Sequence, residues 1–166
     1  MKAIVFPGQG SQYVGMGKDF YESFSEAKEV FHEVDDALGL KLSNIILNGT
    51  KEKLDLTENT QPAIMTVGVS IYRVLKKYKI KDLNEYNFFA GHSLGEYTSL
   101  ICSDSLSLKD GARILKERGR SMQEAVPINV GAMAALLGTE LDLINEVIKK
   151  HSSNEGVAEI SNDNCP

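Results

Sequence analysis

Ser93 is the residue best placed to do chemistry. Gly91-His92-Ser93-Leu94-Gly95 fits G-x-S-x-G, in which the glycines permit a sharp strand-to-helix turn that lifts the serine hydroxyl out of the sheet edge. The free N–H groups of the following helix would point at the same spot and favour an oxyanion. A second glycine-rich turn is Gly8-Gln9-Gly10-Ser11-Gln12. A Rossmann fingerprint needs Gly where Tyr13 stands, and Gly17-Lys18 is followed by Asp19 rather than Ser or Thr, so neither phosphate cradle fits. What remains is a turn at the carboxyl end of a strand, the edge where open α/β sheets hold ligands. There the amides of Gln9 and Gln12 could orient an acyl group.

Arg118 is the third candidate. Arg113 with Glu117 and Arg120 with Glu124 read as exposed i,i+4 pairs. Arg118 instead has Ile114, Leu115, Ser121 and Met122 at helical spacing, with no carboxylate among them. A partly buried guanidinium requires an anion. That anion is either a distant Asp or Glu, or a substrate carboxylate or phosphate held by the fork. A serine nucleophile also requires a base, most often histidine. His32 reads as a surface residue, His92 should leave the turn in another direction from Ser93, and His151 lies near a helix C-terminus. Either the base lies beyond residue 166 or the chain does no serine chemistry.

The elements that must position these residues follow from periodicity. Lys2 to Phe6 predicts a buried strand stopped by Pro7-Gly8. Phe20 to Leu38 predicts one amphipathic helix ended by Gly39, Leu40 to Leu47 a shorter helix, and Lys51 to Asn59 a polar connection. Asn59 or Thr60 should cap a helix to Tyr78, with Pro62 in its first turn. Tyr86 to Ala90 predicts a strand and Ser93 the start of a helix. Ser107 with Asp110 resembles a capping box opening a helix to Val126. Beyond Pro127 the pattern predicts a strand over Val130 to Leu137, a helix from Thr139 to Lys150 and a strand from Val157 to Ile160. Strands alternating with helices imply α/β architecture with parallel pairing.

Composition excludes several classes. The chain has 166 residues, 42% hydrophobic and 25% charged, enough to bury a core and unlike a disordered tail. Its net charge of −5, without a basic stripe, argues against nucleic acid. No apolar run approaches the roughly 18 residues of a membrane span, and the first residues are too short a run for a signal peptide. Cys102 and Cys165 lie far apart and read as free thiols in a reducing cytoplasm.

Taken together, Phe6-Pro7-Gly8-Gln9-Gly10-Ser11-Gln12, Thr60-Gln61-Pro62-Ala63, Gly91-His92-Ser93-Leu94-Gly95-Glu96-Tyr97, Arg118-Gly119-x-x-Met122-Gln123 and Gly131-Ala132-Met133-Ala134-Ala135 resemble the malonyl-CoA:acyl-carrier-protein transacylases of bacterial fatty-acid synthesis. The blocks span the whole chain in family order. The resemblance implies a parallel-sheet α/β-hydrolase-like large subdomain, incomplete here, over residues 1–126. It implies the start of a ferredoxin-like small subdomain over residues 127–166. The chain then corresponds to the N-terminal half of the family's length, with the catalytic histidine in the other half, and transfer by this chain should be weak or nil.

By the same resemblance, Ser93 is acylated by malonyl-CoA and the phosphopantetheine thiol of acyl carrier protein takes the malonyl group. Backbone N–H groups at Gln9 and Leu94 form the oxyanion hole. Arg118 pairs with the malonyl carboxylate, and Gln61, His92 and Met122 complete the substrate-binding set. No metal and no permanently bound cofactor is implied. The alternatives are a non-catalytic remnant that binds carrier protein or a complementary fragment, and a generic serine hydrolase.

Overall fold

The computed structural model describes residues 1–80, 82–126, 130–151 and 156–164. The chain divides into two compact units, Met1–Val130 and Gly131–Pro166. In the first, strands β1 (Ala3–Phe6) and β2 (Phe88–Gly91) pair in parallel, with Ala3 opposite Phe88 and Phe6 opposite Gly91. Parallel pairing requires a crossover, and the intervening helices supply it. The architecture is α/β, a small parallel sheet among many helices.

The crossover contains α1 (Lys18–Ser23), α2 (Ser25–Leu38), α3 (Leu42–Asn48), α4 (Lys51–Asp55) and α5 (Thr57–Lys77). After β2 come α6 (Leu94–Cys102) and α7 (Leu108–Ala125). Val30, Phe31 and Val34 of α2, Met65 and Val69 of α5, Leu94 of α6 and Leu115 of α7 are fully or almost fully buried in one core. The apolar spacing that predicted these helices therefore marks the faces they bury. The Ser107 cap is present: its Oγ accepts from Asp110 N–H at 3.1 Å and donates to Asp110 Oδ2 at 2.6 Å.

Several expectations are corrected. The helix expected over Phe20 to Leu38 is two helices, broken at Phe24, whose backbone is extended with φ −128° and ψ 128°. There the Phe24 ring packs on Phe20 and Tyr78, at centroid distances of 5.8 and 5.2 Å. The polar connection after Lys51 contains α4, because Thr50 caps it by accepting from Lys53 N–H. Helix α5 begins at Thr57, which puts Pro62 in its second turn rather than its first. Arg113 pairs with Asp110 at 3.9 Å and donates to Ala37 O, instead of meeting Glu117.

In the second unit, α8 (Leu141–His151) matches the expected helix. Val130 to Leu137 and Val157 to Ile160 form no strand. An apolar run becomes a strand only where a neighbour takes its N–H and C=O groups, and the sheet among the described residues contains β1 and β2 alone. Pro127, the expected boundary, lies outside the described residues.

Candidate active site

The turn at Ser93 is built by two close backbone approaches. His92 N–H donates to Phe6 O at 3.2 Å and Gly95 N–H to His92 O at 2.9 Å, so the turn folds against the end of β1. A Cβ on Gly95 would strike Phe6 O and lie 2.8 Å from Pro7 O, and one on Gly91 would strike the backbone of Gly95. Both positions therefore exclude any side chain. Between them Ser93 adopts φ 54° and ψ −114°, a strained conformation for a residue with a Cβ. The strain holds the Ser93 hydroxyl exposed immediately before α6, whose first residue, Leu94, has an amide with no partner inside the helix.

The Gly8–Gln12 turn lies beside this elbow. A Cβ on Gly8 would come within 2.7 Å of His92 Nδ1, so the His92 ring rests on the turn. Gly10 has φ +110°, which only glycine adopts readily. The strand register thus brings Gln9 and Leu94, distant in sequence, to the same carboxyl edge.

Arg118 reaches this edge from α7. Gly119 makes the approach possible: a Cβ there would meet Thr57 O at 2.5 Å, so α7 lies directly on the first turn of α5. Lys116 secures the same crossing, 3.2 Å from Glu58 Oε2 and donating to Asn59 Oδ1 at 3.0 Å. Arg118 Nη1 donates to Gln61 Oε1 at 2.6 Å, and Nη2 donates to Ser93 Oγ at 3.0 Å. The guanidinium carbon lies 5.9 Å from the centroid of the Tyr97 ring. No carboxylate of the described residues forms an ion pair with Arg118. Gln61 is fully buried, and its Nε2 donates to Met122 Sδ at 3.3 Å. Arg118 can only donate, so it fixes which end of the Gln61 amide faces it.

The structure therefore brings Ser93, Arg118, Gln61 and Met122 into one connected array, with His92, Gln9 and Leu94 beside it. Residue patterns alone missed Tyr97 and Gly119, although each stands inside a block already singled out, and the Gln12 amide, expected to orient an acyl group, instead accepts from Gly10 N–H and donates to Asp55. Of the other histidines, His32 is exposed with Nε2 3.4 Å from Tyr21 Oη, and His151 ends α8. Two surface depressions of 410 and 710 Å3 are lined in part by Arg73 and Asp104 and by Tyr72 and Lys76 respectively, and neither is lined by Ser93 or Arg118. No helix of the described residues is long and apolar enough to cross a membrane.

Comparison with known proteins identifies the family. The acyl transferase domain family matches residues 3–159. The malonyl CoA-acyl carrier protein transacylase of Bacillus subtilis (strain 168) is 44% identical over 164 residues, covering 99% of this chain and 50% of that protein. The crystal structure of an acyl-carrier-protein-S-malonyltransferase from Bartonella henselae superposes with a TM-score of 0.88 at 46% identity, covering 99% of this chain and 52% of that one. A type II PKS acyl-carrier protein in complex with its malonyl-transacylase matches with a TM-score of 0.81 at 39% identity, over 89% of this chain and 47% of that one. The chain spans about half the length of the curated relatives it matches. With the match running over nearly the whole of its 166 residues, this chain belongs to the acyl transferase domain family.

Proposed function

We propose that Ser93 accepts a malonyl group from malonyl-CoA and passes it to the phosphopantetheine thiol of acyl carrier protein, in fatty-acid synthesis. The observation that carries this reading is the position of Arg118. It meets the nucleophile through one nitrogen and is held from behind by buried Gln61 through the other. A malonyl group on Ser93 places a free carboxylate one methylene from the ester carbonyl, within range of that guanidinium. An acetyl group has no such carboxylate and leaves the cation unpaired, which selects against it. Arg118 has no evident task in a generic hydrolase of simple esters.

In the reaction, Ser93 Oγ attacks the thioester carbonyl as its proton passes to a general base. Charge on the tetrahedral oxygen is taken by the Gln9 and Leu94 N–H groups. The intermediate collapses as the base returns that proton to the leaving coenzyme A sulfur, and the carrier's thiol, deprotonated by the same base, then attacks the ester and releases Ser93, whose oxygen takes the proton back. Arg118 cannot serve as the base, since it is never deprotonated. As the resemblance implies, the base is a histidine in the part of the relatives' length that this chain does not span. The large unit would be the start of an α/β-hydrolase-like subdomain and the small unit the start of a ferredoxin-like one, in a cytoplasmic protein. The carrier-protein assignment is supported by the solved complex of a similar malonyl-transacylase with its carrier.

The test is intact-mass spectrometry after incubation with malonyl-CoA. A malonyl adduct on the wild type that is absent from Ser93→Ala is expected. Arg118→Ala should abolish the preference for malonyl over acetyl. An adduct that survives Ser93→Ala, or unchanged selectivity in Arg118→Ala, would overturn the assignment.

A further inference from the structure

The Gly8–Gln12 loop is braced by its own side chains. Ser11 Oγ donates to Gly8 O at 2.9 Å. The Gly8 carbonyl and the Gln9 N–H belong to one trans peptide plane and point in opposite directions, so a bond that holds the carbonyl also sets the direction of the amide. The next plane is held as well: Gly10 N–H donates to Gln12 Oε1 at 2.8 Å. Gln12 Nε2 in turn donates to Asp55 Oδ1 at 2.8 Å, and Lys51 holds the other oxygen of Asp55. The Gln12 bond, followed by the Lys51 bond, keeps the Asp55 carboxyl below its ordinary range, so it remains an ionised acceptor at neutral pH. The Gln12 amide has one possible orientation, because Gly10 offers a donor and Asp55 an acceptor. Both peptide planes that meet at Gln9 are thus held by side chains, in a segment that belongs to no helix or strand.

We infer that Ser11 and Gln12, with Asp55 behind them, are positioning residues that hold the Gln9 N–H in its oxyanion-binding direction before substrate arrives. The inference rests on the acyl-transfer reading above. Its physical basis is that a donor stabilises developing charge most when no reorganisation is needed at the moment of reaction. The helix end fixes the direction of the Leu94 amide, whereas the Gln9 amide sits in a loop and needs another restraint.

The brace can be tested without turnover by 15N relaxation of the wild type, Ser11→Ala, Gln12→Ala and Ser11→Thr. Order parameters at Gln9 and Gly10 should be near ~0.85 in the wild type and in Ser11→Thr, which keeps the hydroxyl, and fall below ~0.6 in the two alanine variants. The same samples are then acylated with malonyl-CoA. Ser11→Ala should lower the acylation rate constant at saturation about tenfold, less than the ~10²–10³ lost when an oxyanion donor is removed outright. The half-saturating concentration should not change, and Ser11→Thr should restore the rate. Unchanged order parameters in the alanine variants would overturn the brace. Lowered order parameters with a wild-type acylation rate would overturn its role in catalysis. No malonyl adduct on the wild type would overturn the acyl-transfer reading and that role with it, while the relaxation data still decide the brace.

Discussion

Replacing Gln61 by Glu tests whether Arg118 is an anion receptor held ready by a neutral partner. In the folded chain Gln61 is fully buried, and its Oε1 accepts from Arg118 Nη1 at 2.6 Å. A carboxylate of the same shape would keep that bond and add a negative charge in contact with the guanidinium. The cation is then neutralised before any ligand arrives. A hydrogen bond to a charged group contributes about 1.5–3 kcal/mol. If the introduced carboxylate removes a bond of that size from the ligand, the apparent Kd for malonate rises by a factor of about 10–150. The fold itself should not suffer greatly, since the new charge is paired, although the bond from Gln61 Nε2 to Met122 Sδ is lost.

The assay is calorimetric titration with malonate, which needs a folded chain but no turnover, alongside a thermal melt of the same samples. The expected pair of results is weakened malonate binding with a near-unchanged melting temperature. Malonate binding as tight as the wild type's would refute the claim that Arg118 is kept available by the neutrality of Gln61. Weakened binding together with a large fall in melting temperature would show that Gln61 acts through packing instead.

Ser93→Gly should abolish the malonyl adduct yet stabilise the fold, because glycine relieves the backbone strain at φ 54° and ψ −114°. A gain of about 1 kcal/mol would raise the melting temperature by about 2–4 °C, and no rise would mean the turn is unstrained. Gly95→Ala should destabilise by at least about 2 kcal/mol in urea unfolding, since its Cβ would lie 2.8 Å from Pro7 O and strike Phe6 O. Burial pushes the Cys102 thiol up from 9.0 to about 12. The unfolded chain therefore releases that proton first, so stability should fall as pH rises from about 9 towards 12, and a cysteine-to-serine control at this position should flatten the fall. Peptide mapping after iodoacetamide at pH 8 should find Cys102 unmodified in the folded chain, and rapid modification would contradict its burial.

Much of the fold was legible because its determinants are local. Helices α2, α5 and α7 bury the faces that their apolar spacing marks, and Ser107 caps α7 through a side chain three residues from its partner. The misreadings fall where a distant contact overrides local pattern. Phe24 breaks a continuous helical periodicity because Tyr78, far along the chain, takes its ring. Lys51 to Asp55 is an exception, since α4 has a local cap in Thr50 and a local pair in Lys51 with Asp55, and only the bond from Gln12 to Asp55 comes from afar. Val130 to Leu137 has the composition of a strand, but a strand exists only through its neighbours.

The site divides in the same way. The elbow follows from residues four positions apart, because only glycine at 91 and 95 lets the backbone turn with serine between them. The chain also revealed on its own that Arg118 has no carboxylate at helical spacing, since a helix fixes which residues share a face. The partners of Arg118 came from elsewhere. Gln61 is 57 residues away and Ser93 25, and they meet the arginine because Gly119 lets α7 lie directly on α5 while β1 and β2 pair in parallel. Local sequence thus determined which groups could act and the shape of the turn that presents Ser93. Only tertiary packing decided that Arg118 and Ser93 face each other, because hydrogen bonds between separate elements depend on how closely their backbones approach.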